Sequence, residues 1–222
     1  MTLPSSGAAP LLVVTAVAAE ADAVRAGADP AQITVQPVGV GPAAAAAGTA
    51  RLLALAEAAG TPYRAVLSAG IGGGFPAHAA TGATVLGTSS IAADLGAETA
   101  AGFVAVERLG FGTSVVAADP RFLGALASAL PGCVLGDILT LSTVTGTTET
   151  ARELADRYPA AAAEAMEGYG VAVAAAAAGC PFAELRTISN PIGPRDRDAW
   201  RIADALAALT HAAALIPHVW AV

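Results

Sequence analysis

Apolar positions fall into two alternating patterns along the chain. Short solid runs end in glycine-rich or polar turns, and longer Ala- and Leu-rich stretches separate them. Solid runs of about four to eight residues mark strands buried on both faces. On that basis strands are predicted at 11–17, 33–38, 65–69, 84–91, 102–106, 134–143 and 184–189. Helices are predicted at 18–26, 42–59, 122–130 and 147–157, then as one long helix over 159–179, and last from Pro194 or Arg195 to about residue 215. Pro42 sits in the first turn of its helix and Gly60 at its end, while Pro131-Gly132 stops the next one. The 159–179 helix rests on the high helix propensity of its alanines and is interrupted by Gly168 and Gly170.

Strands that alternate with helices over the whole length predict an α/β fold. The expected form is a single domain: a mixed, mostly parallel central sheet with helices on both faces, in three layers. No linker or internal repeat interrupts it, so residues 11–222 read as one domain behind a flexible leader at 1–10. That leader has no basic residue ahead of an apolar segment and is not expected to be a signal peptide.

Composition narrows the function. Apolar residues make up 55% of the 222 positions and charged ones 13%. Such a surface predicts a homo-oligomer, a dimer or higher. The run 171–178 is too short to cross a bilayer, so no membrane association is expected. Net charge is −7 and every basic residue is Arg, which argues against nucleic-acid binding. Cys133 and Cys180 read as buried reduced thiols of a cytoplasmic protein. His78, His211 and His218 are scattered, and no spacing suits a metal.

Candidate chemistry lies at strand ends, where α/β folds bind ligands. Gly39-Val40-Gly41-Pro42 opens a helix after a strand. It looks like a dinucleotide turn, but the acidic residue expected after the next strand is missing and Pro42 removes a backbone donor. The plain alternative is a tight structural turn. Ser68-Ala69-Gly70-Ile71-Gly72-Gly73-Gly74 would let a flat ligand approach the backbone, or would be only a flexible connection. In Ala165-Met166-Glu167-Gly168-Tyr169-Gly170, Glu167 is an isolated carboxylate that either faces solvent or accepts hydrogen bonds inside a pocket. Asn190, ending the last strand in Thr187-Ile188-Ser189-Asn190, either meets a ligand or only makes a turn.

In this order, these segments resemble the nucleoside phosphorylase family. The nearer branch is the methylthioadenosine/S-adenosylhomocysteine nucleosidases, and within it the futalosine hydrolases. Ala93-Asp94-Leu95-Gly96-Ala97-Glu98 and Ser189-Asn190-Pro191-Ile192-Gly193-Pro194-Arg195-Asp196-Arg197 carry the last likeness. The resemblance implies a nucleosidase that uses no cofactor and no metal and takes a small nucleoside as its only partner besides its own copies. It implies Glu20 as water-activating base, Met166 and Glu167 at the ribose, and Gly72 and Gly73 along the substrate. The family's base-contacting Asp falls on Asn190. A carboxamide NH₂ donates to the O6 and N7 acceptors of a 6-oxopurine, and futalosine carries hypoxanthine. The family's stacking aromatic is replaced by Thr143-Val144-Thr145-Gly146, which leaves Phe75 or Tyr169 as substitutes. Arg195 and Arg197 are candidates for the carboxylate on the 5′ side of futalosine, or are surface residues paired with Asp196 and Asp198. A phosphorylase, a non-catalytic nucleoside binder and a nucleosidase of broader purine specificity are the rival readings. The first needs cations near the glycine turns, and the second would leave bound ligand uncleaved.

Overall fold

The computed structural model describes residues 9–194 and 196–216. The leader expected at 1–10 falls mostly outside them, as do Arg195 and His218. Strand β1 (Leu11–Thr15) is buried at all five positions. It pairs in parallel with β2 (Ile33–Pro37) on one side and β3 (Ala65–Gly74) on the other. Its period-two alternation feeds two cores. Leu11 and Val13 pack with Ala21 and Val24 of α1 (Ala18–Gly27), with Phe122 and Leu126 of α3 (Pro120–Ala129), and with Leu209 of α6 (Ile202–Leu215). Leu12 and Val14 face the other way, onto Leu53 of α2 (Pro42–Ala58) and Val171 and Ala175 of α5 (Gly168–Ala177). Helices therefore cover both faces, as the strand–helix alternation predicts.

Beyond β3 the sheet curls and closes. β3 pairs with β10 (Phe182–Pro191), β10 with β4 (Thr84–Ala92), β4 with β8 (Val134–Thr140), β8 with β9 (Ala161–Ala165), and β9 returns antiparallel to the end of β3. β7 (Val115–Ala117) adds to the β4 edge, and β5 (Gly96–Thr99) with β6 (Gly102–Ala105) forms a separate hairpin. Helix α4 (Thr148–Arg157) links β8 to β9, with Thr147 accepting from the Thr150 N–H as its cap.

Five expectations need correction. The long helix over 159–179 is a strand, β9, followed by α5. Alanine propensity loses here to the ladders offered by β8 and β3, and small side chains are what the gap between those strands admits: a Cβ on Gly136 would lie 2.7 Å from that of Ala162. The glycine run 70–74 is the second half of β3 rather than a loop. The strand predicted over 134–143 ends at Thr140, because the Ser142 N–H leaves the ladder for Asp94 Oδ2 at 2.8 Å. The last helix begins at Ile202. The chain before it forms a short 3₁₀ turn at Arg197–Ala199 and is tied back to β10 by the Arg201 N–H on the Ser189 carbonyl, 2.8 Å. Cys133 and Cys180 are free thiols, half-buried where full burial was expected. Among the described residues no helix is long and apolar enough to cross a membrane.

Candidate active site

A cavity of about 240 Å³ opens at the carboxyl ends of β1, β9 and β10 and along the second half of β3. Glu20 enters it from the first turn of α1. Its Oε2 accepts from the Ala16 and Val17 N–H groups at 3.0 and 3.3 Å, and its Oε1 from the Ile71 N–H at 2.9 Å. This carboxylate bridges the β1–α1 turn and β3. Glu167 stands at the turn between β9 and α5, just ahead of the helix N-terminus, where a negative charge is favoured. Its Oε1 accepts from the Gly41 N–H at 3.3 Å, and its Oε2 lies 3.4 Å from Arg186 Nη1.

Arg186 lies beneath the floor and is only 1% exposed. Its Nε bonds Glu184 Oε1 at 3.0 Å and its Nη2 donates to Ser68 Oγ at 3.1 Å. The other Glu184 oxygen accepts from Ser90. Burial pulls the guanidinium pKa down, and the carboxylates of Glu184, Glu167 and Glu20 together push it above its ordinary value. Burial raises the Glu184 carboxyl against the pull of Arg186 and Ser90. One cation thus faces three acidic side chains, and those that are ionised favour positive charge developing on a ligand above them.

The glycines make room for this layer. A Cβ on Gly70 would lie 2.6 Å from Glu20 Oε1 and 2.7 Å from Arg186 Nη1, and one on Gly168 would lie 2.0 Å from Glu184 Oε2. At Gly72 it would lie 2.8 Å from the Glu164 carbonyl oxygen. Space, rather than flexibility, requires glycine at these positions.

At the far end, Ser189 Oγ donates to Asn190 Oδ1 at 2.8 Å, and Asn190 Nδ2 donates to the Pro191 carbonyl at 2.9 Å. One amide hydrogen remains for a ligand. Glu164, 4% exposed, lines the same cavity. Its Oε1 accepts from the Thr145 N–H at 2.7 Å and its Oε2 from the Thr145 hydroxyl. Burial pushes the Glu164 carboxyl above its ordinary range, against the pull of both Thr145 bonds. Val40, Val144, Trp200 and Ile202 complete the wall.

The structure brings Glu20, Gly72, Gly73, Met166, Glu167 and Asn190 around this one cavity. It does not bring Phe75, Tyr169 or Arg197 there. Phe75, 3% exposed, packs with Ile91, Leu139 and Ile192 and faces a neighbouring apolar cavity, because it lies one residue past the end of β3. The Tyr169 hydroxyl donates to the Thr113 carbonyl and its N–H to Thr140 Oγ1, which turns the ring away. Neither serves as the stacking ring in this arrangement. Arg197 is exposed on the 3₁₀ turn, 6.0 Å from the Trp200 ring. Arg186, Glu184 and Glu164 were missed from the sequence. Glu184 and Arg186, two residues apart in a solid apolar strand, were a usable signal: opposite charges on one buried face must pair. Glu164 was hidden by the helix expected there.

The phosphorylase superfamily profile matches residues 19–219. Over 218 residues the chain is 51% identical to futalosine hydrolase of Streptomyces coelicolor, covering 91% of this chain and 92% of that one. The chain belongs to the futalosine hydrolases of the phosphorylase superfamily. The Acidothermus cellulolyticus futalosine hydrolase is 45% identical over 227 residues, covering 94% of this chain and 91% of that one. The structure of S-adenosylhomocysteine nucleosidase from Streptococcus pyogenes superposes with a TM-score of 0.82 at 19% identity, covering 98% of this chain and all of the other, a likeness of fold. Membership in the futalosine hydrolases agrees with the order of segments that the sequence presents.

Proposed function

We propose that the chain hydrolyses the N-glycosidic bond of futalosine, releasing hypoxanthine and dehypoxanthine futalosine in menaquinone biosynthesis. The observation that carries the reading is the placement of Glu20 and Glu167 on either side of the Ile71-Gly72-Gly73 floor, with Asn190 at the other end of the same cavity. Glu167 accepts from the ribose hydroxyls, and the negative layer beneath stabilises the positive charge that grows on the sugar as the bond stretches. Glu20 takes a proton from the attacking water, whose oxygen bonds to the anomeric carbon. The electrons of the broken bond leave with the base. Asn190 Nδ2 stabilises that charge at O6 or N7, and since a carboxamide holds no proton acidic enough to give up, water delivers the proton to the leaving base.

No described residue lining the cavity is cationic, which favours water over phosphate as nucleophile. Arg197 and Arg195 remain partners for the substrate carboxylate, the first through its place beside Trp200. Phe111, 81% exposed, with exposed Leu95, Leu109 and Val115 around the β5–β6 hairpin, supports self-association of a cytoplasmic enzyme. The test is release of hypoxanthine from futalosine by purified protein in phosphate-free buffer. Full turnover without phosphate is expected. Turnover that appears only when phosphate is added identifies a phosphorylase instead.

A further inference from the structure

Glu167 is the N-cap residue of α5. A side chain at that position ordinarily accepts from the N–H groups of the first helical turn, which have no partner inside the helix. Glu167 makes no such bond. Its Oε1 accepts from the Gly41 N–H and its Oε2 from the Met166 N–H, both at 3.3 Å, and the residue lines the cavity instead. The first turn of α5 takes its cap from elsewhere.

That cap comes from β8. The Tyr169 N–H, second in the helix, donates to Thr140 Oγ1 at 2.9 Å. Thr140 is the last residue of β8 and is 1% exposed. It is in register with Ala165 of β9 on one side and with Ala92 of β4 on the other, and its carbonyl accepts from the Ala93 N–H at 3.0 Å. Ala165 precedes Glu167 by two residues, so the pairing of β8 with β9 also sets the Thr140 hydroxyl beside the start of α5. A β-branched side chain is stiff at χ1, and the acceptor is held as firmly as the strand that carries it.

We propose that Thr140 is a positioning residue for Glu167: by capping α5 in its place, the Thr140 hydroxyl leaves the Glu167 carboxylate free to face the cavity and bind the ribose. The proposal rests on the reading of Glu167 as the partner of the ribose hydroxyls. Without the Thr140 oxygen the Tyr169 N–H loses its acceptor, and an unpaired buried donor is costly. The Glu167 carboxylate already stands in the N-cap position, where the helix favours a negative charge, and it turns back to cap its own helix.

The experiment measures kcat and KM for futalosine and for its 2′-deoxy analogue, with a melting curve, in wild type, Thr140→Val, Thr140→Ser and Glu167→Gln. Val keeps the shape of Thr and loses the oxygen. Ser keeps the oxygen and loses the methyl group. The expected result is a fall of at least about tenfold in the futalosine-over-deoxy ratio of kcat/KM in Thr140→Val, with the wild-type ratio kept in Thr140→Ser. Loss of one cap should also lower the melting temperature of Thr140→Val by about 2–4 °C. A Thr140 that only stabilised the fold would slow both substrates alike, so an unchanged ratio in Thr140→Val overturns the proposal. A ratio as low in Thr140→Ser as in Thr140→Val assigns the effect to packing and also overturns it. One arm needs no variant to fold: the Tyr169 amide of wild type is expected to exchange slowly with solvent, and fast exchange overturns the cap. Glu167→Gln separates this proposal from the reading beneath it. A ratio that falls in Glu167→Gln and not in Thr140→Val keeps Glu167 at the ribose and overturns the role of Thr140. A ratio unmoved by Glu167→Gln overturns the ribose reading, and this proposal with it. Futalosine left intact by wild type overturns the hydrolase reading, while slow Tyr169 exchange in the same sample upholds the cap.

Discussion

Strands β1 and β9 are the same length and both are buried at every position, yet they do opposite work. β1 reads Leu-Leu-Val-Val-Thr and fills two cores with branched side chains. β9 reads Ala-Ala-Ala-Glu-Ala and fills little. It lies where two strands of a closed sheet meet, and its small residues let backbones approach while its one large side chain is delivered to a cavity. The first is a strand because of what its side chains bury. The second is a strand because its neighbours leave unpaired backbone groups that only an extended segment satisfies. Burial alone therefore does not separate a structural strand from one that builds a site.

The largest expected effect lies on the site side of that comparison. Glu20→Gln keeps the shape and loses the base, and kcat/KM for futalosine per folded molecule should fall by about 10²- to 10⁴-fold, with some loss of stability because the amide NH₂ cannot accept from the backbone N–H groups that both carboxylate oxygens serve. A variant retaining full activity would remove Glu20 from the reaction. On the structural side, Leu12→Ala empties part of the α2–α5 core and should cost about 2–5 kcal/mol in urea unfolding, with activity per folded molecule preserved. Should Leu12→Ala abolish activity at unchanged stability, the division between the two strands would fail.

Ala163→Val is a smaller and more diagnostic change. Ala163 is wholly buried and pairs with Ile138 and Gly74, so two added methyl groups should cost about 1–3 kcal/mol by overpacking although Val is the better strand former. A stabilised Ala163→Val would show that propensity, not space, governs β9. The smallest effect concerns pH. The Glu184 carboxyl is raised in the folded state by burial. A raised carboxyl contributes stability that is present below its ordinary pKa and lost as pH climbs through the raised value. Glu184→Gln removes that slope. As pH climbs above the ordinary carboxylate range, wild type should therefore lose stability relative to the variant, as urea midpoints at several pH values would report.

How much was legible from sequence follows the same division. Runs such as 11–17 and 184–189 announced buried strands because large apolar side chains leave a pattern. Glu20, Met166, Glu167 and Asn190 were found because they sit in recognisable segments at strand ends, and all four line the cavity. Phe75 and Tyr169 were misjudged because nearness in sequence to a site says nothing about where a ring points. Glu164 was hidden because alanine carries the strongest local preference for helix, and only long-range pairing overrules it.

By itself the sequence determined the layered α/β architecture and the family, since both rest on local pattern repeated along the chain. The tertiary structure alone decided that Arg186 would stand under three carboxylates and that Gly73 would separate Asn190 from Glu164. The physical reason is that closing the sheet joins β9 to β3, about ninety residues apart at Gly73 and Glu164. Contacts set by ring closure depend on how every strand between them pairs, and no local run of residues encodes them.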